Sequence, residues 1–174
     1  QVEEGDRHGA VATAGLAAVV ATAGFFNALP DLDGVVRSLP LVAEVDGALR
    51  ESLALAMLRQ HAGQPRVQPV LAGAVLAAIE LEQAGQRVRI PLDARGAVKV
   101  PFRGPGGPTG GSFDYVSAAD LIEGKLSPAS LAGKLVLVGS SAPGVFDLRS
   151  TPVAAVYPGV EVHASVLSGL LDGR

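Results

Sequence analysis

Serine, aspartate and histidine occur in this chain in an order that suits nucleophilic catalysis. Ser140 and Ser141 follow an apolar run, and Asp147 and His163 come later, which is the chain order of one large class of hydrolases. The local sequence GSSAPG is not the G-x-S-x-G turn of that class, because Pro143 stands where the second glycine is needed. We therefore expect a polar binding loop here, with a hydrolase that uses Ser141, Asp147 and His163 as the alternative.

Two carboxylates and an arginine surround a glycine in PDLDGVVR, residues 30–37. A calcium loop of the EF-hand type needs glycine at its sixth position and glutamate at its twelfth, and both positions hold valine here. We predict a structural turn, in which the acids bind backbone amides, the glycine adopts a positive φ and the arginine pairs with an acid. The residues of this turn are Asp31, Asp33, Gly34 and Arg37.

Glycines dominate RGPGGPTGG, residues 103–111, which therefore predicts an irregular loop. The loop lacks the Lys-Ser/Thr of a phosphate-binding P-loop and does not open a helix. Arg103, at the end of the preceding strand, is a candidate contact for an anion. His8 and His61 offer His163 no metal-ligand spacing, so we predict no metal and no cofactor.

Composition narrows the class of protein. Hydrophobic residues make up 48% of the 174, which is enough for a sizeable core, and the net charge of −3 lacks the basic footprint of a nucleic-acid binder. Cysteine is absent, which excludes disulfides and thiolate chemistry. Residues 9–26 form an uncharged run, but Ala and Gly make up most of it, so we predict a buried helix rather than a membrane span.

The apolar pattern predicts a mixed sheet covered by helices, in the α/β or α+β class. The predicted strands are a half-buried strand at 35–47, a three-stranded antiparallel meander over 78–104, and a buried parallel strand in KLVLVG at 134–139. The predicted helices lie at 48–63, 117–124 and 158–173.

Several blocks in this order resemble the CHASE2 family of bacterial sensor domains, over roughly residues 20–174 behind an Ala-rich lead segment at 1–19. The blocks are AGFFN, PDLDGVVRSLPL, SLALAMLR, IPLDARG, FRGPGG, SAADLIEG, LAGKLVLVGSSAPG, DLRSTPV and YPGVEVHASVLSGLLDG. The usual first half of the family pattern is not recognisable, so the chain resembles the C-terminal portion of the domain.

The resemblance implies a receptor input module and not an enzyme. In that family the domain lies outside the cytoplasmic membrane, in the periplasm, between transmembrane helices, and it controls a cytoplasmic nucleotide cyclase, diguanylate cyclase, histidine kinase or Ser/Thr kinase. The expected partners are an unidentified small-molecule ligand, the membrane helices and output domain of the parent chain, and a second copy in a homodimer. A ligand-free dimerisation module is a further alternative.

A small polar or anionic ligand is expected at the loop after KLVLVG, since ligand crevices gather at the carboxyl ends of parallel strands. The candidate binding residues are Ser140, Ser141, Asp147, Arg149, Arg103 and His163.

Overall fold

The computed structural model describes residues 23–140 and 147–173. Within them, one compact unit consists of residues 23–27 and 40–96. The other consists of residues 28–39, 97–140 and 147–173. The predicted Ala-rich helix at 9–26 lies largely outside the described part of the chain.

Nine short strands and three helices make up the described fold, which confirms the α+β class. The strands are β1 (Ser38–Pro40), β2 (Val42–Val45), β3 (Ala48–Glu51), β4 (Arg66–Ala72), β5 (Val75–Gln83), β6 (Gln86–Pro91), β7 (Ala97–Lys99), β8 (Leu148–Arg149) and β9 (Tyr157–Pro158). The helices are α1 (Leu53–His61), α2 (Ala118–Ile122) and α3 (Gly159–Leu171), with a 3-10 turn at Pro128–Ser130. No helix among the described residues is long and apolar enough to cross a membrane.

The helix predicted at 48–63 begins later, at Leu53, because its first residues belong to a hairpin. Strands β2 and β3 pair antiparallel through the turn Asp46-Gly47, whose φ angles of 53° and 72° are those of a two-residue hairpin turn. Ser52 then caps α1, accepting a hydrogen bond on Oγ from the amide of Leu55 at 3.3 Å.

A three-stranded antiparallel sheet, in the order β4-β5-β6, is the largest sheet of the first unit. The meander predicted over 78–104 is therefore wrong in its third strand: β7 pairs with β1, and β4 takes the place beside β5. The sequence pattern did not predict β4 because this segment contains Pro69. Proline is excluded from central strands but tolerated in an edge strand such as this one. Ile79 in β5 and Leu55 in α1 are fully buried core residues of this unit.

Helix α3 carries the core of the second unit, as its apolar period predicts. Val162 and Val166 are fully buried on it, together with Tyr157 just before it. The chain at 35–37 is held between two neighbours, since the amide of Val36 donates to the Ser150 carbonyl at 2.8 Å and Val100 donates to the Arg37 carbonyl at 3.0 Å.

The described residues do not show the buried parallel strand predicted in KLVLVG. Residues 134–140 form no strand with any other described residue, and Val138 is 89% exposed. A run of Leu and Val forms a buried strand only where a neighbouring strand supplies hydrogen bonds. The periodicity of the run does not show whether such a neighbour is present. Among the described residues, this unit has a parallel bridge between Val35 and Ser150.

Candidate ligand-binding site

Several polar side chains of the second unit lie near the first turn of α3. Strand β8 pairs antiparallel with β9, and β9 runs directly into the helix. This short hairpin brings Asp147 back to the helix start, where the amide of Gly159 donates to the Asp147 carbonyl at 2.8 Å. Asp147, which directly precedes β8, therefore lies at the amino-terminal end of α3.

Asp147 lies against the backbone of Gly159 and pairs with a cation. A β-carbon at position 159 would come within 2.7 Å of the carboxyl carbon of Asp147, so only glycine permits this approach. A carboxylate at this position suits the partial positive charge of a helix amino terminus. Nη2 of Arg149 lies 3.4 Å from Oδ1 of Asp147, and both side chains are about one-third exposed.

Residue 139 contacts the same helix turn. Gly139 packs on Val160 so closely that a β-carbon on the glycine would lie 2.6 Å from the valine Cβ. Ser140 follows this contact and is half-buried. Ser141, the nucleophile of the hydrolase alternative, lies outside the described residues.

Arg103 and His163 are placed differently. The guanidinium group of Arg103 pairs with Asp172, the residue that ends α3, and so lies at the carboxyl-terminal end of this helix. His163 is 4% exposed, one turn along α3 from Gly159. The structure thus brings Asp147, Arg149 and the approach to Ser140 to one helix end and leaves Arg103 at the other.

The turn at residues 30–37 has the geometry of a tight ion-paired loop. The amide of Val35 donates to Oδ1 of Asp33 at 3.1 Å, and Gly34 has a φ of 80°. Arg37 donates to Oδ2 of Asp31 at 3.0 Å as well as to Asp33. No group of three or more His, Asp or Glu within the described ranges is arranged to hold a metal ion.

Glu161 is the polar residue of this region that the sequence reasoning missed. It stands in the first turn of α3 and is 2% exposed, with Oε1 accepting hydrogen bonds from the Gly107 amide at 2.7 Å and from the Tyr115 hydroxyl at 2.6 Å. Burial, followed by the hydrogen bond to this carboxylate, raises the pKa of Tyr115. The sequence does contain a signal for this site, which is an acid inside the apolar run VEVHASV. An acid is rarely buried without a polar partner, so an acid in a run that forms the buried face of a helix indicates a specific contact.

Small antiparallel sheets and short helices make up the described fold, and polar side chains lie at the start of α3. The chain belongs to the CHASE2 domain family, whose family model it matches over residues 4–174. This match confirms the resemblance seen in the sequence. CHASE2 domains are extracytoplasmic sensor domains and not catalysts. No curated protein and no solved structure has significant similarity to the chain.

Proposed function

We propose that this domain is the ligand-binding input module of a bacterial transmembrane receptor, placed in the periplasm and controlling a cytoplasmic nucleotide cyclase, diguanylate cyclase or protein kinase. The observation that carries the proposal is the match to an extracytoplasmic sensor family over residues 4–174. A sensing role fits that family. The proposal adds that the domain binds a ligand and that it belongs to a receptor of this type.

The proposed relay element is α3. A small polar ligand that binds Asp147 or Arg149 competes with their ion pair, whose atoms are 3.4 Å apart and partly open to solvent. Because the Asp147 carbonyl also holds the first amide of α3, a change at this ion pair shifts the helix start. Ligand binding thereby biases α3 between two positions, and the parent receptor transmits the difference.

Thermal-shift screening of the 174-residue chain against polar and charged small molecules tests this proposal. A ligand raises the melting temperature by mass action, and Asp147→Asn is expected to abolish the rise. Asp114→Asn is the matched control, since Asp114 is a highly exposed acid of the same unit. A hit that survives Asp147→Asn would move the binding site elsewhere, and a broad panel without any hit would contradict ligand sensing.

A ligand-free dimerisation module is the second candidate, favoured by the exposed apolar stretch at 134–140. Val138 is 89% exposed and Val136 is 49% exposed, and exposed apolar side chains of this kind favour association with a second copy. Light scattering over a concentration series tests it. A dimer that Val138→Asp converts to monomer supports this candidate, and a monomer at all concentrations excludes it.

A further inference from the structure

Glu161 is a buried carboxylate with one oxygen that no donor satisfies. Oε1 receives hydrogen bonds from the Gly107 amide and the Tyr115 hydroxyl, whereas Oε2 is buried and accepts none from the part of the chain that the structure describes. Buried polar atoms in folded proteins nearly always have a partner. An orphaned carboxylate oxygen therefore marks a position where a donor is to be expected.

No cation in the described ranges forms an ion pair with this carboxylate. Two arginines of the second unit pair with other acids, Arg149 with Asp147 and Arg103 with Asp172. A buried carboxylate without a counter-charge is costly, and a positively charged ligand removes that cost.

Two aromatic side chains lie close to Glu161, although aromatic residues make up only 4% of the chain. Both tyrosines of the sequence are close to it: Tyr115 donates to Oε1, and Glu161 contributes, after burial, to raising the pKa of Tyr157. Phe102 meets Tyr157 edge to face, with ring centroids 5.2 Å apart. A carboxylate among aromatic rings is the chemistry that recognises an organic ammonium ion.

A glycine-rich segment covers the orphaned oxygen. A β-carbon on Gly106 would lie 2.8 Å both from Oε2 of Glu161 and from the Tyr157 ring, so the bare backbone lies directly on the carboxylate. Residues 104–116 make no backbone–backbone hydrogen bond with other described residues, and Gly104 and Gly107 have φ angles of 119° and 103°. Opening this segment therefore breaks few backbone hydrogen bonds besides the one from the Gly107 amide to Oε1 of Glu161.

We propose that Glu161 is the recognition group for a ligand that carries an ammonium group, and that residues 104–111 are the cover that such a ligand displaces. The positive charge lies against Oε2, to which a primary ammonium such as propylammonium also donates N–H hydrogen bonds, and the ring of Tyr157 lies beside the charge. This proposal rests on the ligand-sensing function proposed above and names the chemical class of the ligand.

An NMR titration of the ¹⁵N-labelled 174-residue chain tests the proposal without any substitution. The probes are propylammonium chloride and tetramethylammonium chloride, with 1-propanol and sodium chloride as neutral and ionic-strength controls. The expected result is a saturable shift of the Gly106, Gly107 and Tyr115 amides with at least one ammonium probe and none with the controls. No saturable shift at these amides would overturn the proposal.

Glu161→Gln separates charge recognition from shape. It is expected to weaken binding of the ammonium probe by about tenfold or more, because one charge-assisted hydrogen bond is lost. Glu44→Gln, at an exposed acid of the first unit, is the matched control and should bind as the unmodified chain does. Equal affinity in Glu161→Gln and the unmodified chain would overturn the proposal.

The outcome also distinguishes this proposal from the wider one. A neutral or anionic compound that raises the melting temperature while the Gly106 and Gly107 amides stay unshifted would leave the sensing function standing and remove the ammonium site.

Discussion

Arg37 binds the carboxylate of Asp33 through two parallel hydrogen bonds, from Nη1 to Oδ1 at 2.9 Å and from Nη2 to Oδ2 at 2.7 Å. A guanidinium and a carboxylate in this fork arrangement recognise each other by shape as well as charge. Both side chains are therefore engaged in contacts within the loop. The acids at residues 31 and 33 stabilise a turn that lies next to the strand β8 through the Val36–Ser150 hydrogen bond.

The pKa of Asp33 is expected to depend on Arg37. The hydrogen bonds from Arg37, then that from the Val35 amide, lower the pKa of Asp33 from 3.8 to about 2. Since the pKa is lowered in the folded state, this carboxylate stabilises the fold above pH 3.8 and loses that effect as the pH falls towards 2. In Arg37→Gln the pKa, followed by ¹³C NMR of the carboxyl carbon, should rise towards 3.8.

The control for this measurement is Arg50→Gln, at an exposed arginine of the first unit. It should leave the Asp33 titration unchanged. A pKa of Asp33 that stays near 2 in Arg37→Gln would show that the backbone amide, and not the arginine, dominates.

Alkaline titration should report the Tyr115–Glu161 hydrogen bond. Burial and the neighbouring carboxylate raise the pKa of Tyr115 above its ordinary 10.0, so ultraviolet absorbance should show its phenolate only well above pH 10. The folded state holds this proton more tightly, so stability is full below pH 10 and falls as the pH rises further. Glu161→Gln should lower the pKa of Tyr115, although burial still keeps it above 10.

Both tyrosines of the chain absorb in that experiment, so Tyr157→Phe isolates the Tyr115 signal. Glu44→Gln should not change the absorbance curve. An unchanged titration of Tyr115 in Glu161→Gln would contradict the hydrogen bond.

Ser52→Ala should lower the free energy of unfolding by about 1 kcal/mol, because the cap of α1 loses its acceptor for the Leu55 amide. Urea denaturation measures the change. Ser117→Ala is a matched control, since Ser117 precedes α2 in an extended conformation without any side-chain cap hydrogen bond. The control should change stability by less than about 0.5 kcal/mol. Equal losses in the two variants would contradict the capping role.

Gly169→Ala should destabilise the protein by about 1–3 kcal/mol, against the usual preference of helices for alanine. A β-carbon at this position of α3 would collide with the ring of Pro101. Ser168→Ala, at the adjacent half-buried position, changes helix propensity without that collision and should be neutral or slightly stabilising. Thermal unfolding of both variants measures the difference, and a more stable Gly169→Ala protein would exclude the close packing on Pro101.

Local patterns predicted the elements whose signals are contained in their own residues. The apolar period of 158–173 predicted α3, whose bounds are Gly159–Leu171. The same reasoning found the body of α1 but overran its start, because the apolar spacing continues through β3 and only the Asp46-Gly47 turn distinguishes a hairpin from a helix. The irregular loop at 103–111 and the ion-paired turn at 30–37 were also predictable, since glycine, proline and paired charges act over a few residues.

The sequence by itself determined the class of this protein: an α+β domain of the CHASE2 sensor family, with its main helix and its turns in place. Tertiary structure alone decided that KLVLVG forms no strand with other described residues, that Val138 is exposed, and that β4 rather than β7 completes the largest sheet. It also decided that Glu161 meets Gly107 and Tyr115, which are 54 and 46 residues away in the chain. Strand partners and buried polar contacts depend on residues that are distant in sequence. A local sequence pattern does not specify which distant residue will make the contact.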